Sequence, residues 1–366
     1  MSLTPRAWVR VSPLVALAFG LSACVPAQDV PPPRQTSRIP APRPSVLPPV
    51  SVEPRYTAAP PPAMAQGVAA IWSRFPDRAG VAIMRADGSW LIAHRGTEFM
   101  PQQSVSKIWV AIAVMQAVDQ GRLRLDDPVK VTDADLTLFH EPIEQLVGAE
   151  GYDTTIGALL TEAMTKSDNT ANDVLLRRVG GPSAIRDMLA AKQMAGIRFG
   201  SGEPHLQAYT AGIPWKSDYR GKTNFEKARA KLSFDHRKSA MDRYLADPID
   251  GATPIGIARA LIRLQRGELL SPQSTRTLLG MMSDSQTGKQ RLRAGVPAGW
   301  QFLHKTGTGQ DLKGRTAGYN DVGLMIAPDG TVYAVVVQIA DTVRPIPERQ
   351  FFMQSVSGAI GNYHLR

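Results

Sequence analysis

Apolar residues along the chain follow two kinds of pattern, and the order of these patterns predicts the fold. Short apolar or alternating runs, typical of strands, occupy residues 80–84, 90–94, 300–305, 319–326 and 331–339. Runs with helical character occupy residues 66–74, 103–118, 156–166, 171–179, 182–192, 254–265, 271–283 and 346–361. Strands at both ends with helices between them predict an α/β protein of the α+β type. Its single antiparallel sheet would be built from both termini, with flanking helices and an inserted all-helical lobe at about 122–285.

Residues 103–118 predict a helix that is apolar nearly all the way round, which places it in the middle of a domain. Its first turn nonetheless carries Ser104 and Lys107, which are three residues apart and therefore share one helix face. A serine oxygen beside an amine that takes its proton is the arrangement of an activated nucleophile. An isolated S-x-x-K is also expected about once by chance in a chain of this length, so other motifs must decide.

Two further short motifs follow in the chain. Ser167-Asp168-Asn169 ends the predicted helix 156–166, and Lys305-Thr306-Gly307 ends the first returning strand. Alone, the first is typical of a helix cap and the second of a strand end. Together, in the order S-x-x-K, S-D-N and K-T-G, they form the motif set of the penicillin-recognising serine enzymes.

On these motifs, the chain from about residue 66 to its C-terminus resembles the class A serine β-lactamases, which implies a β-lactamase/transpeptidase-like fold. The resemblance extends over FMPQQSVSKIWVAIAVM, MTKSDNTANDVLL, GATPIGIARALIRLQRGELLSP, RLRAGVPAGWQFLHKTGTG and YNDVGLMIAPDG. In addition, Glu203-Pro204-His205-Leu206-Gln207 resembles the omega-loop signature E-P-x-L-N of that family and lies 36 residues beyond Ser167. A surface glutamate before a proline turn is the alternative interpretation, and the neighbouring motifs favour the functional one.

The resemblance implies four catalytic residues. Ser104 would be the acylated nucleophile and Lys107 its proton partner, while Ser167 would pass a proton to the leaving nitrogen. Glu203 would activate the water that hydrolyses the acyl-enzyme, since a carboxylate accepts the proton of the attacking water. Whether Lys107 or Glu203 acts first in acylation stays open.

The resemblance also implies a set of substrate-binding residues. Asn169 would bind Lys107 and the amide side chain of the substrate, and the K-T-G strand would present a cationic edge to the substrate carboxylate. Backbone N–H groups of Ser104 and Thr308 would form the oxyanion hole. The predicted binding residues are Phe139, Asn169, Gln207, Lys305, Thr306, Gly307 and Thr308.

The region around Glu203 departs from the family pattern. Gln207 stands where the family has asparagine, and Ser201 and Gly202 stand where an arginine is usual. The chain after Glu203 is some 35 residues longer than in typical relatives. The extra part, about 211–250, is basic and amphipathic, with nine Lys and Arg residues. The sequence therefore predicts that the loop positioning Glu203 is built differently here.

The N-terminus predicts export and lipid anchoring. Arg6 and Arg10 precede a short apolar run that ends at Cys24, the only cysteine, as in a bacterial lipoprotein signal. An ordinary cleaved signal with an incidental cysteine is the alternative. The predicted organisation is a signal peptide at 1–23, a proline-rich tether at 24–62 and a hydrolase domain at 63–366. By resemblance, Val25 after the cysteine favours the periplasmic face of the outer membrane.

Charge and composition narrow the range of partners. Removal of residues 1–23, which contain two arginines and no acid, lowers the formal charge from +10 to +8. A basic exported protein favours anionic envelope polymers, but no nucleic-acid motif accompanies the charge. The sequence contains no Cys/His cluster that would predict a metal site, and no cofactor is expected. The protein is expected to be a monomer.

Three functions remain open on the sequence. The first is hydrolysis of β-lactams through acyl-Ser104. The second is a D,D-peptidase or esterase on peptidoglycan stem peptides, and the third is a penicillin-binding envelope sensor without turnover.

Overall fold

The computed structural model describes residues 56–220 and 222–364. Its strands are β1 (Arg78–Arg85), β2 (Leu91–His94), β3 (Pro128–Val131), β4 (Tyr152–Thr155), β5 (Gln301–Thr308), β6 (Asp311–Leu312), β7 (Arg315–Thr316), β8 (Tyr319–Ile326) and β9 (Val332–Asp341). Its helices are α1 (Pro62–Ser73), α2 (Lys107–Asp119), α3 (Ile156–Thr161), α4 (Asn169–Arg178), α5 (Gly181–Ala191), α6 (Glu203–Ala211), α7 (Thr223–Ala230), α8 (Phe234–Ala246), α9 (Pro254–Gln265), α10 (Pro272–Ser283) and α11 (Ile346–Tyr363).

The predicted N-terminal features lie outside the described residues: the signal peptide 1–23, Cys24 and the tether up to residue 55. Helix α1 begins at Pro62, at the end of the predicted tether. Within the ranges that the structure describes, no helix is both long enough and apolar enough to cross a membrane.

Five strands from both ends of the chain form one antiparallel sheet in the order β2-β1-β9-β8-β5, which confirms the predicted α+β architecture. Strands β1 and β9 are apolar along most of their length because both faces of the sheet are covered. On β1, Val81 and Ile83 belong to the core beneath α1 and α11, whereas Ala82 and Met84 belong to the core beneath α2 and α9. The tight turn between β8 and β9 requires glycine, because Gly330 has a φ of 86°.

The central helix differs in detail from its prediction. Helix α2 is buried nearly all round, as its apolar sequence predicts, with Trp109 completely enclosed. It begins only at Lys107, because Gln103–Ser106 forms a 3-10 turn. Ser104 therefore lies in a turn that leads into the helix. A left-handed φ of 52° at Gln103 sets the direction of this turn.

The predicted helix 156–166 also ends irregularly. Its last five residues, Glu162–Lys166, form a π-helical turn, and Ser167 follows with a left-handed φ of 67°. A π turn widens the helix by one residue and is frequent at functional sites. Here it ends the helix immediately before the S-D-N motif.

The basic segment 211–250 folds into helical structure for which the sequence analysis assigned no elements. It contains α7, α8 and a short 3-10 turn at Ser217–Tyr219. Its aromatic residues Phe225 and Tyr244 are fully buried, in two small cores that also contain residues of α6. The segment therefore packs as a support for the helix that carries Glu203.

Candidate active site

Ser104, Lys107 and Asn169 meet at the start of α2. The Nζ of Lys107 donates to Ser104 Oγ and to Asn169 Oδ1, each at 2.8 Å. The lysine is 1% exposed, and this burial lowers the pKa of its amine, although Glu203 and Asp168 oppose the shift. An amine with a lowered pKa, held against a serine oxygen, is suited to take the proton of that oxygen.

The S-D-N segment is fixed by its aspartate. Asp168 is the N-cap of α4, where it accepts from the N–H of Ala171 at 2.7 Å, and its other oxygen accepts from the N–H of Ile143 at 2.7 Å. Asn169 donates through Nδ2 to the carbonyl of Leu138 at 2.7 Å. Because that bond engages the amide nitrogen, the amide oxygen of Asn169 faces Lys107.

A second buried lysine joins the sheet to the helical lobe. Lys305 Nζ donates to Ser167 Oγ at 2.7 Å and to the carbonyl of Thr306 at 3.1 Å. Complete burial lowers the pKa of Lys305 well below its ordinary value, and repulsion from Lys107 and Arg291 adds to the effect. The structure thus brings together the residues of all three motifs that the sequence analysis selected.

The edge of β5 is held close to the 3-10 turn that contains Ser104. A Cβ at Gly307 would collide with the carbonyl oxygen of Gln102, which explains the glycine of the K-T-G motif. Thr306 Oγ1 lies 2.7 Å from Thr287 Oγ1. Thr308 Oγ1 accepts from Nη2 of Arg291 at 2.6 Å.

Arg291 is a site residue that the sequence analysis did not single out. Its guanidinium is buried and also donates to the carbonyls of Gly307 at 3.1 Å and Asn320 at 2.6 Å. It therefore orders the end of β5. No short motif marks this arginine, which lies 14 residues before Lys305 in a segment that the sequence analysis quoted only for its resemblance.

Glu203 reaches the site from the first turn of α6. Its Oε2 lies 4.0 Å from Lys107 Nζ, and its Oε1 accepts from Gln207 Nε2 at 2.7 Å. Its backbone N–H donates to Asp173 Oδ1 at 3.1 Å, and the preceding Gly202 has a φ of 91°. The entry into α6 thus uses a glycine and an aspartate to direct the glutamate toward Lys107.

Buried acids surround this side of the site. Burial raises the pKa of Asp173 to about 7, with the nearby charge of Glu203 adding to it. Burial likewise raises the pKa of Asp250 to about 6. Asp250 accepts from the N–H of Gln103 at 2.8 Å and from Tyr244 Oη at 2.9 Å. The sequence analysis missed this network, which joins segment 211–250 to the turn before Ser104.

Phe139 and Gln207 were predicted to line the substrate cleft. Phe139 packs edge-on against Phe225 at 5.6 Å between ring centroids, so it contacts segment 211–250. Gln207 is 5% exposed, and its side chain is engaged by Glu203 and by Gln310. Contact of either residue with a substrate stays a prediction.

Comparison with known proteins agrees with this fold and this arrangement of motifs. The family model described as the β-lactamase enzyme family matches residues 63–364. The chain is 25% identical to β-lactamase VEB-1 of Pseudomonas aeruginosa over 79% of this chain and 86% of that protein. It is 26% identical to the extended-spectrum β-lactamase PER-1 of Pseudomonas aeruginosa over 78% of this chain and 82% of that protein.

A solved structure of an ancestral class A β-lactamase superposes with a TM-score of 0.65 at 29% identity, covering 82% of this chain and 99% of that one. The chain therefore belongs to the β-lactamase enzyme family, as a class A-like serine enzyme. The resemblance found in the sequence is confirmed.

Proposed function

We propose that the protein hydrolyses β-lactams through a covalent acyl-Ser104 intermediate. The observation that carries the proposal is the convergence of three groups. Ser104 Oγ lies 2.8 Å from Lys107 Nζ, which in turn lies 4.0 Å from Glu203 Oε2. A nucleophile, a proton acceptor with a lowered pKa and a carboxylate are the groups needed for acylation and for hydrolysis of the acyl-enzyme.

In acylation, Ser104 Oγ attacks the lactam carbonyl carbon while its proton passes to Lys107, directly or by a relay through Glu203. The C–N bond of the ring then breaks, Ser167 gives its proton to the leaving nitrogen, and Lys305 Nζ reprotonates Ser167 while Lys107 holds the proton taken from Ser104. The hydrogen bond from Lys305 to Ser167, at 2.7 Å, supports this role because it places a donor behind the serine oxygen.

Substrate binding is assigned to the edge of β5 and to Asn169. Lys305, Thr306 and Thr308 offer a cation and two hydroxyls to the substrate carboxylate, with Gly307 allowing close approach. The backbone N–H groups of Ser104 and Thr308 would stabilise the tetrahedral oxyanion by several kcal/mol. Asn169 would hold the acyl amide, and Phe139 and Gln207 would border the acyl side chain.

In deacylation, Glu203 accepts a proton from a water molecule as its oxygen attacks the ester carbonyl of acyl-Ser104. The ester C–O bond breaks, the proton returns to Ser104 Oγ, and the hydrolysed product leaves. The hydrogen bond from Gln207 to the buried carboxylate of Glu203 supports this role because it holds the carboxylate in one orientation for proton transfer.

Mass spectrometry of the intact protein, mixed with a penicillin and followed over time, tests the proposal. We expect an adduct on Ser104 that clears while hydrolysed product accumulates. A permanent adduct would instead indicate a penicillin-binding sensor. Release of terminal D-alanine from a pentapeptide, without β-lactam turnover, would indicate the peptidase, which the named relatives do not favour.

The location of the enzyme rests on the sequence of its N-terminus. The lipoprotein-like signal at 1–23 and Cys24 support a lipid-anchored protein that faces the periplasm from the outer membrane. Cys24→Ser should release the protein from the membrane fraction into the soluble periplasmic fraction. A wild-type protein already soluble would overturn this assignment. A monomer is proposed and is tested by light scattering.

A further inference from the structure

Two glutamine side chains and one arginine form a continuous hydrogen-bonded chain that ends on Glu203. Arg229 Nη1 donates to Gln310 Oε1 at 3.2 Å, and Gln310 Nε2 donates to Gln207 Oε1 at 2.9 Å. Gln207 Nε2 then donates to Glu203 Oε1 at 2.7 Å. We propose that Gln310 and Arg229 are positioning residues that hold Gln207 as a donor toward Glu203, and that hydrolysis of the acyl-enzyme depends on them.

The direction of this chain is set at both ends. Arg229 is a guanidinium, which only donates, and the carboxylate of Glu203 only accepts. Gln310 Nε2 also donates to the backbone carbonyl of Gln207 at 2.7 Å. A flip of the Gln310 amide would place oxygen against that carbonyl and nitrogen against the guanidinium. A flip of Gln207 would place oxygen against the oxygen of Glu203, so a single orientation remains for each amide.

Each member of the chain is delivered by a different element. Gln207 lies one turn after Glu203 on α6, and Gln310 lies just beyond the end of β5. Arg229 lies on α7, within segment 211–250, where its guanidinium is half-buried and sits over the rings of Phe139 and Phe225 at 5.6 and 6.0 Å. The basic segment thus supplies a charged donor, Arg229, which is linked to Glu203 by hydrogen bonds through the neutral side chains of Gln310 and Gln207.

This arrangement explains how a loop without its usual arginine can orient the glutamate. Because Oε1 accepts from Gln207, the carboxylate of Glu203 rotates only if this hydrogen bond breaks. Oε2 therefore stays directed toward Lys107 Nζ at 4.0 Å. Loss of the chain frees Glu203 to rotate, and a displacement on the order of 1 Å costs about a hundredfold in rate. Ser104, Lys107 and Asn169 keep their own contacts, so acylation with Lys107 as the direct proton acceptor is spared.

The inference rests on the proposed function. Single-turnover kinetics with a chromogenic cephalosporin, together with mass spectrometry of the adduct, distinguishes failure of the inference from failure of the proposed function. Gln310→Met keeps the length of the side chain and removes both amide groups. Gln310→Glu retains the partner for Arg229 but cannot donate to Gln207. Arg229→Met removes the donor, whereas Arg229→Lys keeps one. Lys231→Met, at an exposed lysine of the same segment, is the control for lost charge.

We expect Gln310→Met and Gln310→Glu to slow deacylation by about 10- to 100-fold while acylation changes by less than about threefold. Arg229→Met should slow deacylation less, Arg229→Lys should restore it, and Lys231→Met should match the wild type. A tie that acts only through the contact between Arg229 and residue 310 would tolerate Gln310→Glu, because its ion pair with Arg229 is stronger than the amide contact. The glutamate variant therefore separates a directed donor chain from simple bracing.

Three results would overturn the inference: deacylation at the wild-type rate in Gln310→Met, an equal slowing of both steps, or tolerance of Gln310→Glu. A wild-type protein that forms no adduct, or never clears it, would overturn the proposed function instead. Thermal unfolding of each variant accompanies the kinetics. A folded variant with a lowered deacylation rate supports the inference, and a variant that fails to fold is replaced by its conservative partner at the same position.

Discussion

On the two sides of the active site, burial shifts the pKa of the ionisable side chains in opposite directions. On the nucleophile side, burial lowers the pKa of Lys107 and of Lys305, so both ammonium groups lose protons more easily than in water. On the glutamate side, burial raises the pKa of Asp173 to about 7 and of Asp250 to about 6. Desolvation is the largest cause on both sides. Burial therefore favours the neutral form of the amines on one side and of the acids on the other.

The two sides also differ in how they are built. The nucleophile side is held by regular elements, in which short motifs place Ser104, Lys107 and Lys305 on a turn, a helix and a strand. The glutamate side depends on side-chain amides and on the cores beneath α7 and α8. Damage to the first side should stop the reaction, whereas damage to the second should change which step limits it.

Ser104→Ala should have the largest effect. Without the nucleophile no acyl-enzyme forms, and turnover should fall by on the order of 10⁵-fold. Mass spectrometry after mixing with a penicillin should detect no adduct. Ser106→Ala, two residues further in the same turn, is the control and should retain the adduct. An adduct in Ser104→Ala would assign the nucleophile to another residue.

Glu203→Gln should affect the second chemical step and spare more of the first. The amide keeps the shape of the side chain but accepts no proton from water, so the adduct on Ser104 should accumulate. Loss of a general base typically costs about 10²- to 10⁴-fold. Rates of adduct formation and clearance measure the two steps separately. Clearance at the wild-type rate would remove Glu203 from deacylation.

Asp173→Asn should change the pH dependence of stability. The pKa of Asp173 rises from 3.8 to about 7 on folding, so the folded protein holds this proton more tightly. Stability contributed by the protonated form is therefore lost as pH rises from about 4 to about 7. At about 1.4 kcal/mol for each pKa unit, the asparagine variant should gain roughly 2–4 kcal/mol at pH 8.

Unfolding in urea at pH 5 and pH 8 measures this gain. The asparagine oxygen still accepts from the N–H of Glu203, so the hydrogen bond to α6 is retained. Asp242→Asn is a control that should leave the change in stability between pH 5 and pH 8 as in the wild type, because the pKa of Asp242 lies below its ordinary value of 3.8. Hydrogen bonds from Lys238 and Arg315 lower the pKa of Asp242, so its contribution to stability is present at neutral pH and lost in acid. Equal slopes in wild type and Asp173→Asn would contradict the first expectation.

The sequence predicted the side of the site that contains Ser104 better than the side that contains Glu203. The motifs containing Ser104, Ser167 and Lys305 are short and contiguous, so their combination and the family resemblance selected them, while the apolar pattern predicted the sheet. Gln103 and Tyr244 are 141 residues apart and in contact, and Gln207 and Gln310 are 103 residues apart. Such contacts leave no local pattern, because an amide bonded to another amide looks in the sequence like any surface glutamine.

Segment 211–250 illustrates the physical reason. The sequence analysis described it only as basic and amphipathic, and in the structure Phe225 and Tyr244 are fully buried while Phe234 is 43% exposed. The sequence pattern shows that the segment is amphipathic, but tertiary packing determines which of its aromatic side chains are buried. The strand pair β3 and β4 escaped prediction similarly, since both strands are short and β4, with the sequence YDTT, lacks an apolar alternation.

Tyr244→Phe should have the smallest of the effects considered, and it probes how the second side supports the first. The hydroxyl of Tyr244 donates to Asp250 at 2.9 Å and accepts from Gln103 Nε2 at 2.6 Å. Its removal leaves a buried carboxylate with one donor fewer, at a cost of about 1–3 kcal/mol. Unfolding in urea measures the loss. Tyr209→Phe, at an exposed neighbouring ring, should cost less than about 0.5 kcal/mol.

The kinetic consequence of Tyr244→Phe distinguishes support from catalysis. Asp250 holds the N–H of Gln103, the residue before Ser104, in its left-handed conformation. A weaker Asp250 contact should therefore slow acylation by a few-fold, in contrast to Gln310→Met, which should slow deacylation. If Tyr244→Phe slows only deacylation, segment 211–250 acts on the reaction through Glu203 alone, and the turn before Ser104 is held by the sheet without it.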